Sequence, residues 1–209
     1  MKYFVVAGIG TEIGKTFISS ILVEALEADY WKPIQAGNLD CTDTDFIKHH
    51  ISNKKTVCHP EAYRLSAPMS PHAAAEAEGI LIELEKLEVP QTKKSLIIEL
   101  AGGLMVPLNN NQLNIDLLQQ WRLPLILVSE NYLGSINHTL LSVEVLKSKG
   151  IHCIGIIFNG NPNPASEEFI MNYTGMPCLA NIGKQTMINK DTVSRLTQEL
   201  KAGLKSILT

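Results

Sequence analysis

Residues Gly8-Ile9-Gly10-Thr11-Glu12-Ile13-Gly14-Lys15-Thr16 constrain the fold more than any other stretch of the chain. They lie between an apolar run, Tyr3-Phe4-Val5-Val6-Ala7, and an amphipathic one from Phe17 to Leu26. That order reads as strand, glycine-rich turn and helix. Glycines let successive backbone N–H groups turn inward on an anion, and the helix N-terminus adds the positive end of its dipole. In such a loop Lys15 reaches the outer phosphates of a nucleotide and the Thr16 hydroxyl faces Mg²⁺. The commoner spacing, G-x-x-x-x-G-K-[ST], would need glycine where Ile9 stands. Gly8 lies six positions before Gly14, so this loop carries one extra residue. A strand–helix turn that binds nothing is the alternative, but Gly-Lys-Thr after an apolar strand favours phosphate.

The rest of the chain repeats the same alternation. The periodicity predicts helices over residues 15–28, 113–121, 135–149, 165–173 and 192–207, with Gly150 closing the third. It predicts strands over 30–35, 95–99, 125–129, 152–158 and 178–182. Pro33 inside the second strand marks a strand end or an edge, where a missing N–H does little harm. Thr42-Asp43-Thr44-Asp45 opens a further helix, with Thr42 and Asp45 at capping-box spacing. Residues 52–71, with Pro60, Pro68 and Pro71, read as a long surface loop. Short helices are expected from His72 and over 81–87. A β-α-β-α series of this kind gives an α/β fold, a parallel sheet with helices on both faces, here as one domain over residues 1–209. Ligands of such sheets bind beyond the carboxyl ends of the strands.

Composition narrows the function classes. With 209 residues there is enough chain for a well-buried core, and 45% hydrophobic with 19% charged residues is ordinary for a globular protein. A net charge of −3 argues against a surface built for nucleic acid or an anionic membrane. No apolar run approaches the roughly 20 residues of a membrane span, and the first residues already read as a strand with no cleavable leader. Cys41, Cys58, Cys153 and Cys178 are scattered without C-x-x-C spacing and read as free thiols of a cytosolic protein.

Three polar groups invite a chemical reading. Mg²⁺ takes few protein oxygens, and beside Thr16 the acids Asp45 and Glu99 are candidates to supply them. Asp45 also reads as an acid favoured at a helix N-terminus by the dipole. Glu99 ends the apolar run Leu96-Ile97-Ile98, where an unpaired carboxylate is costly to bury, so it should meet a cation. Lys32, in Trp31-Lys32-Pro33, is open to two readings: a strand-end lysine snorkelling to water, or a second cation facing a phosphoryl group or acceptor anion. Of the histidines, His49 and His50 point to a solvated helix face. His72 reads as a pocket residue or a helix start, and His138, near a helix start, as a candidate interface residue. None has metal-cluster spacing.

These segments, in order, resemble dethiobiotin synthetase, a family of P-loop NTPase type. The loop Gly8–Thr16 is similar to the family's G-T-D-T-x-V-G-K-T, extra residue included. Lys32-Pro33-Ile34-Gln35-Ala36-Gly37 resembles K-P-V-x-[ST]-G, and Asp43-Thr44-Asp45 the acidic segment that follows. Ser70-Pro71-His72-Ala73-Ala74 resembles the S-P-H loop. Glu99-Leu100-Ala101-Gly102-Gly103 resembles E-G-A-G-G, Leu133-Gly134-Ser135-Ile136-Asn137-His138 resembles L-G-x-I-N-H, and Phe158-Asn159 the asparagine near the base.

The resemblance implies an ATP- and Mg²⁺-dependent conversion of 7,8-diaminopelargonic acid and CO₂ to dethiobiotin, ADP and phosphate. By that resemblance Lys15, Lys32 and Thr11 act at the reacting groups. Glu12, Ile13, Gly14, Lys15, Thr16, Phe17 and Asn159 hold the nucleotide, while Thr16, Asp45 and Glu99 hold the metal. Thr11, Lys32, Ala36, Gly134 and Ser135 meet the diamine, the last two across a homodimer interface through backbone N–H groups at a helix N-terminus.

Ala36 stands where the family has a hydroxyl, and Leu100 where it has glycine, so a missing substrate hydrogen bond and a shifted Glu99 loop are expected. The chain after Asn159 is short beside the family pattern, which leaves ATP held mainly by its phosphates. Rival readings are a partitioning-type dimeric ATPase switch, an amidotransferase-type synthetase and a non-catalytic nucleotide-binding regulator. The first would carry an early loop lysine, absent before Lys15; the second needs a glutaminase domain; the third needs neither Lys32 nor the Gly134 segment.

Overall fold

The computed structural model describes residues 2–208, with side chains up to Lys201. The chain runs β1 (Tyr3–Gly8), α1 (Lys15–Leu26), β2 (Asp29–Trp31), β3 (Ile34–Ala36), α2 (Asp43–His50), β4 (Cys58–His59) and β5 (Tyr63–Leu65). It continues with α3 (Pro71–Ala77), β6 (Leu96–Gly103), α4 (Asn114–Trp121), β7 (Leu125–Glu130) and α5 (Ser135–Ser148). Last come β8 (Cys153–Gly160), α6 (Pro164–Thr174), β9 (Cys178–Gly183) and α7 (Lys190–Leu208). Seven strands form one sheet in the order β4-β2-β6-β1-β7-β8-β9, and each neighbouring pair is parallel.

The apolar runs are buried on both faces, as parallel sheets between helices require. Side chains alternate across a strand. On β1, Val5 and Ala7 join one core with Ala74 of α3, Leu117 of α4, Val143 of α5 and Ile170 of α6. Phe4 and Val6 join the other, with Ile18 and Leu22 of α1, Ile47 of α2 and Val193 of α7. β1 is central, so the glycine-rich loop leaves the sheet at its middle. The loop is thereby flanked by β6 on one side and β7 on the other.

Several expected elements differ. The strand predicted over 30–35 breaks at Lys32-Pro33: β2 stays in the main sheet, and β3 pairs with β5 in a separate two-stranded sheet. Pro33 has no N–H for a ladder, and its carbonyl accepts from Ala62 and Tyr63 at the break. The stretch read as a loop over 52–71 contains β4 and β5, too short to carry a period. Over 81–87 only a 3-10 turn forms, Leu84–Lys86. The strand expected to stop at Glu99 continues to Gly103, which puts Glu99 inside β6. Leu100 is buried in the core beside it. α1 ends at Leu26, where Glu27 turns left-handed with φ 46°. No helix among the described residues is long and apolar enough to cross a membrane.

Candidate nucleotide site

A cavity of about 760 Å³ opens at the carboxyl edge of the sheet, lined by Thr11, Glu12, Gly14, Lys15, Thr16, Phe17, Lys32, Ala36, Asp43 and Glu99 among others. The loop that forms its floor is held by local packing. Gly14, with φ 84°, precedes α1 as its N-cap, and a Cβ there would strike the Asn159 side chain. Asn159 Nδ2 donates to Ile13 O at 2.9 Å, tying the end of β8 to the loop. Ile13 itself is buried in the core.

Lys15, only 7% exposed, donates from Nζ to Gly10 O at 2.8 Å. Burial, reinforced by the neighbouring Lys32 charge, pulls its pKa down to about 8, against the opposing pull of Glu99 and Asp43.

Lys32 is 5% exposed, so it does not snorkel. Its Nζ lies 2.6 Å from Asp43 Oδ2 and 3.0 Å from Glu99 Oε1. Burial works to lower its pKa, but Glu99 and Asp43 outweigh that and raise it above the usual lysine value. Asp43 shows the converse. Burial would raise its carboxyl, yet Lys32 and a hydrogen bond from Thr16 hold it below the usual range. The break at Pro33 makes this cluster possible. β2 delivers Lys32 to the edge beside β6, and the chain then leaves the sheet, returning at α2 with Asp43 facing the lysine.

Asp45, expected beside Thr16, is elsewhere. It is the third residue of α2, and its carboxylate accepts from Thr42 N at 3.1 Å and Thr42 Oγ1 at 2.8 Å, completing a capping box. Those bonds lower its pKa and direct it away from the cavity, whose lining does not include it. Asp43, the first residue of the helix, takes the place beside Thr16 and Lys32.

The oxygens at this corner fit a hard divalent cation. Thr16 Oγ1 lies 2.8 Å from Asp43 Oδ1 and 2.8 Å from Glu99 Oε1. One hydroxyl hydrogen cannot serve two carboxylate oxygens fully, and a cation among these three oxygens would relieve the remaining contact. Hard oxygen donors are what Mg²⁺ selects, with water and phosphate oxygens completing its shell. No group of three or more His, Cys, Asp or Glu among the described residues could hold a metal without such additions.

Gly134 and Ser135 do not line the cavity. Gly134, with φ 102°, is the N-cap of α5, and Ser135 N already donates to Tyr132 O at 3.0 Å. Leu133 beside them is fully exposed. His72 sits on a smaller hollow with Ile80 and Leu81, its Nδ1 3.0 Å from Ser70 Oγ. His138 Nδ1 lies 2.7 Å from the Tyr132 hydroxyl. The four cysteines are free thiols.

Sequence reasoning missed Asp43 as the acid of the cluster, and it missed Tyr30, whose hydroxyl donates to Glu99 Oε2 at 3.0 Å. The signal for Tyr30 was present: it lies two residues before Lys32, and side chains at that spacing share a face.

A glycine-rich loop running from a central parallel strand into a helix, with a buried lysine and an oxygen corner beside it, defines an α/β protein of the P-loop NTPase type. A family model described as an AAA domain matches residues 2–192. The ATP-dependent dethiobiotin synthetase BioD of Christiangramia forsetii is 47% identical over 206 residues, covering 99% of this chain and 99% of its own. The protein of the same name from Cytophaga hutchinsonii is 46% identical, covering 95% of this chain and 96% of its own. The chain belongs to the ATP-dependent dethiobiotin synthetase family and is an enzyme of the ligase kind.

The segment after Asn159 is not short against these relatives, since the first alignment spans both chains almost entirely. Among solved structures, the septum site-determining protein MinD from Pyrococcus horikoshii OT3, complexed with Mg-ADP, superposes with a TM-score of 0.62. It covers 99% of this chain and 97% of its own at 14% identity, which is a likeness of fold.

Proposed function

We propose that this single-domain protein converts 7,8-diaminopelargonic acid, CO₂ and ATP to dethiobiotin, ADP and phosphate. One amine of the diamine adds to CO₂, losing a proton and giving a carbamate. A carbamate oxygen attacks the γ-phosphorus, displacing ADP and forming a carbamic–phosphoric anhydride. The second amine attacks the carbamate carbon, phosphate leaves, and the urea ring closes. Family membership supports the overall reaction, and the charge arrangement at the loop supports the division of labour.

The central difficulty is electrostatic, because an anionic carbamate must approach an anionic triphosphate. Lys15 and Lys32 supply fixed positive charge on the two sides of that approach, where it is stronger than in water. Thr11 and Glu12, on the loop, are in position to orient the carbamate and an amine. Thr16, Asp43 and Glu99 would hold Mg²⁺, which supplies charge neutralisation for the β- and γ-phosphate oxygens when bound. Much of the acceleration comes from holding the reacting groups in line. Ala36, a small residue on the cavity wall, leaves room for the diamine. We assign Asn159, at the loop, to the nucleotide.

The enzyme acts as a homodimer in the cytoplasm, with no nucleic-acid or membrane partner. Gly134 and the fully exposed Leu133 form part of the face each protomer offers the other, and the distant carboxylate of the diamine binds there.

The observation that carries this reading is Lys32, buried at the loop between Asp43 and Glu99. A partitioning switch has support only from likeness of fold. Incubation with the diamine, bicarbonate, Mg²⁺ and ATP should yield a urea-ring product, seen by mass. Nucleotide hydrolysis that is independent of the diamine, with no such product, would refute the proposal.

A further inference from the structure

Tyr30 lies on β2 between the sheet and α1, fully buried among Phe4, Ile18 and Ile97. An apolar ring would fill that space without taking a hydroxyl out of water, which is costly unless the hydroxyl is paired. Its partner is Glu99 Oε2, at 3.0 Å. The other oxygen, Oε1, meets Thr16 at 2.8 Å and Lys32 at 3.0 Å. Glu99 has no exposure to solvent, so each of its oxygens has protein partners in place of water.

The last torsion of a glutamate is broad, so the plane of its carboxylate can turn unless a partner holds each oxygen. A neutral donor fixed on the oxygen away from Thr16 holds that plane and leaves the carboxylate its negative charge. A cation in the place of Tyr30 would cancel that charge, and a water would fix no direction.

We propose that Tyr30 is a positioning residue: it holds Glu99 so that Oε1 stays aimed at Thr16, and through Glu99 it sets how readily the site takes Mg²⁺ with a nucleotide. The inference rests on the Mg²⁺–nucleotide part of the function proposed above. Groups that only orient a ligating side chain change metal affinity by about ten- to a hundredfold when removed.

The test is ADP binding by calorimetry over a range of Mg²⁺ concentrations, in the parent protein and in Tyr30→Phe. Mg²⁺ should tighten ADP binding in the parent. Tyr30→Phe should keep the Mg²⁺-free ADP affinity and need about tenfold more Mg²⁺ to reach half of the effect. Tyr30→Leu removes the same hydroxyl with different packing and should give a similar displacement, whichever variant has the lower Tm. A lower Tm with an unchanged Mg²⁺ midpoint would reduce Tyr30 to a packing residue and overturn the proposal, as would displacements that differ between the variants in step with their stability. ADP binding by the parent that ignores Mg²⁺ would instead remove the metal reading itself, and this inference with it.

Discussion

On the β2–β6 side of the glycine-rich loop, Lys32 meets Asp43 and Glu99, and Thr16 touches both acids. On the β7–β9 side, beyond the same loop, the buried Glu167 of α6 has no ion pair among the described residues. It accepts instead from Asn131 Nδ2 at 2.6 Å, Asn163 N at 2.9 Å and Asn181 Nδ2 at 3.0 Å. Both sides bury carboxylates. One balances them with a lysine held between two acids, beside a cavity that leaves room for further charge. The other surrounds a single carboxylate with donors from two loops and from β9 and fixes its geometry. Charges that must respond to an incoming ligand sit around a cavity, whereas the amide cluster sets the shape of the neighbouring edge.

The largest effect should come from removing the cation of the first side. Lys32→Met should lower turnover by at least about a hundredfold, as loss of one charge-stabilising donor does. It should also cost about 3–5 kcal/mol of stability, because two acids are left facing each other in a buried site. Steady-state kinetics and urea unfolding measure the two effects. Full activity would mean that this charge cluster is architectural, like the amide one.

Next is the contrast within α2. Asp43→Asn should raise the Mg²⁺ requirement of activity by about tenfold or more, on the scale of lost metal contacts. Asp45→Ala should leave that requirement alone and cost about 0.3–1.5 kcal/mol through the lost half of the capping box. The reverse ranking in a Mg²⁺ titration would return the metal to Asp45.

A pH effect of similar size follows from Lys15. Its pKa in the protein without nucleotide is about 8, below the usual lysine value, and phosphate oxygens would raise it again. Below pH 8 the lysine is already protonated, and binding takes up no proton. Above pH 8 binding takes up one, so ATP affinity should fall by up to about tenfold per pH unit. Calorimetry in buffers of different ionisation heat detects that proton directly, and a flat affinity from pH 7 to 9 would contradict it.

The smallest effect on turnover belongs to the second side. Glu167→Gln turns one acceptor into a donor against Asn131 or Asn181, costing about 1–3 kcal/mol of stability. The kcat should hold; a fall in kcat as large as that of Lys32→Met would erase the distinction between the two sides.

Much of the fold was legible because its signals are local. The apolar runs of β1, β6, β7 and β8 and the loop between β1 and α1 are contiguous in sequence, and parallel pairing follows from their alternation with helices. β4 and β5, at two and three residues, are too short for periodicity and form because partner strands are already in place. At the site, Lys15, Thr16, Glu99 and Lys32 were all singled out, but whether Lys32 faced water was open. Its burial depends on α2 folding back over it. The misplaced acid is instructive in the same way. The capping-box spacing of Thr42 and Asp45 was visible, and a carboxylate that closes a cap is turned back toward the N-cap residue; followed through, that spacing leaves Asp43 as the acid free to face the cavity.

The sequence alone determined the phosphate loop, the layered α/β architecture and the set of charged residues that a nucleotide chemistry would need, since each is written in neighbouring residues or in short periods. Only the tertiary structure decided which of those charges meet. The chain leaves the main sheet after Trp31 and comes back beside its carboxyl edge with α2, so Lys32, just past β2, meets Asp43 of α2 and Glu99 of β6. Distances of a few ångströms between such elements depend on how whole helices pack, and no spacing along the chain encodes them.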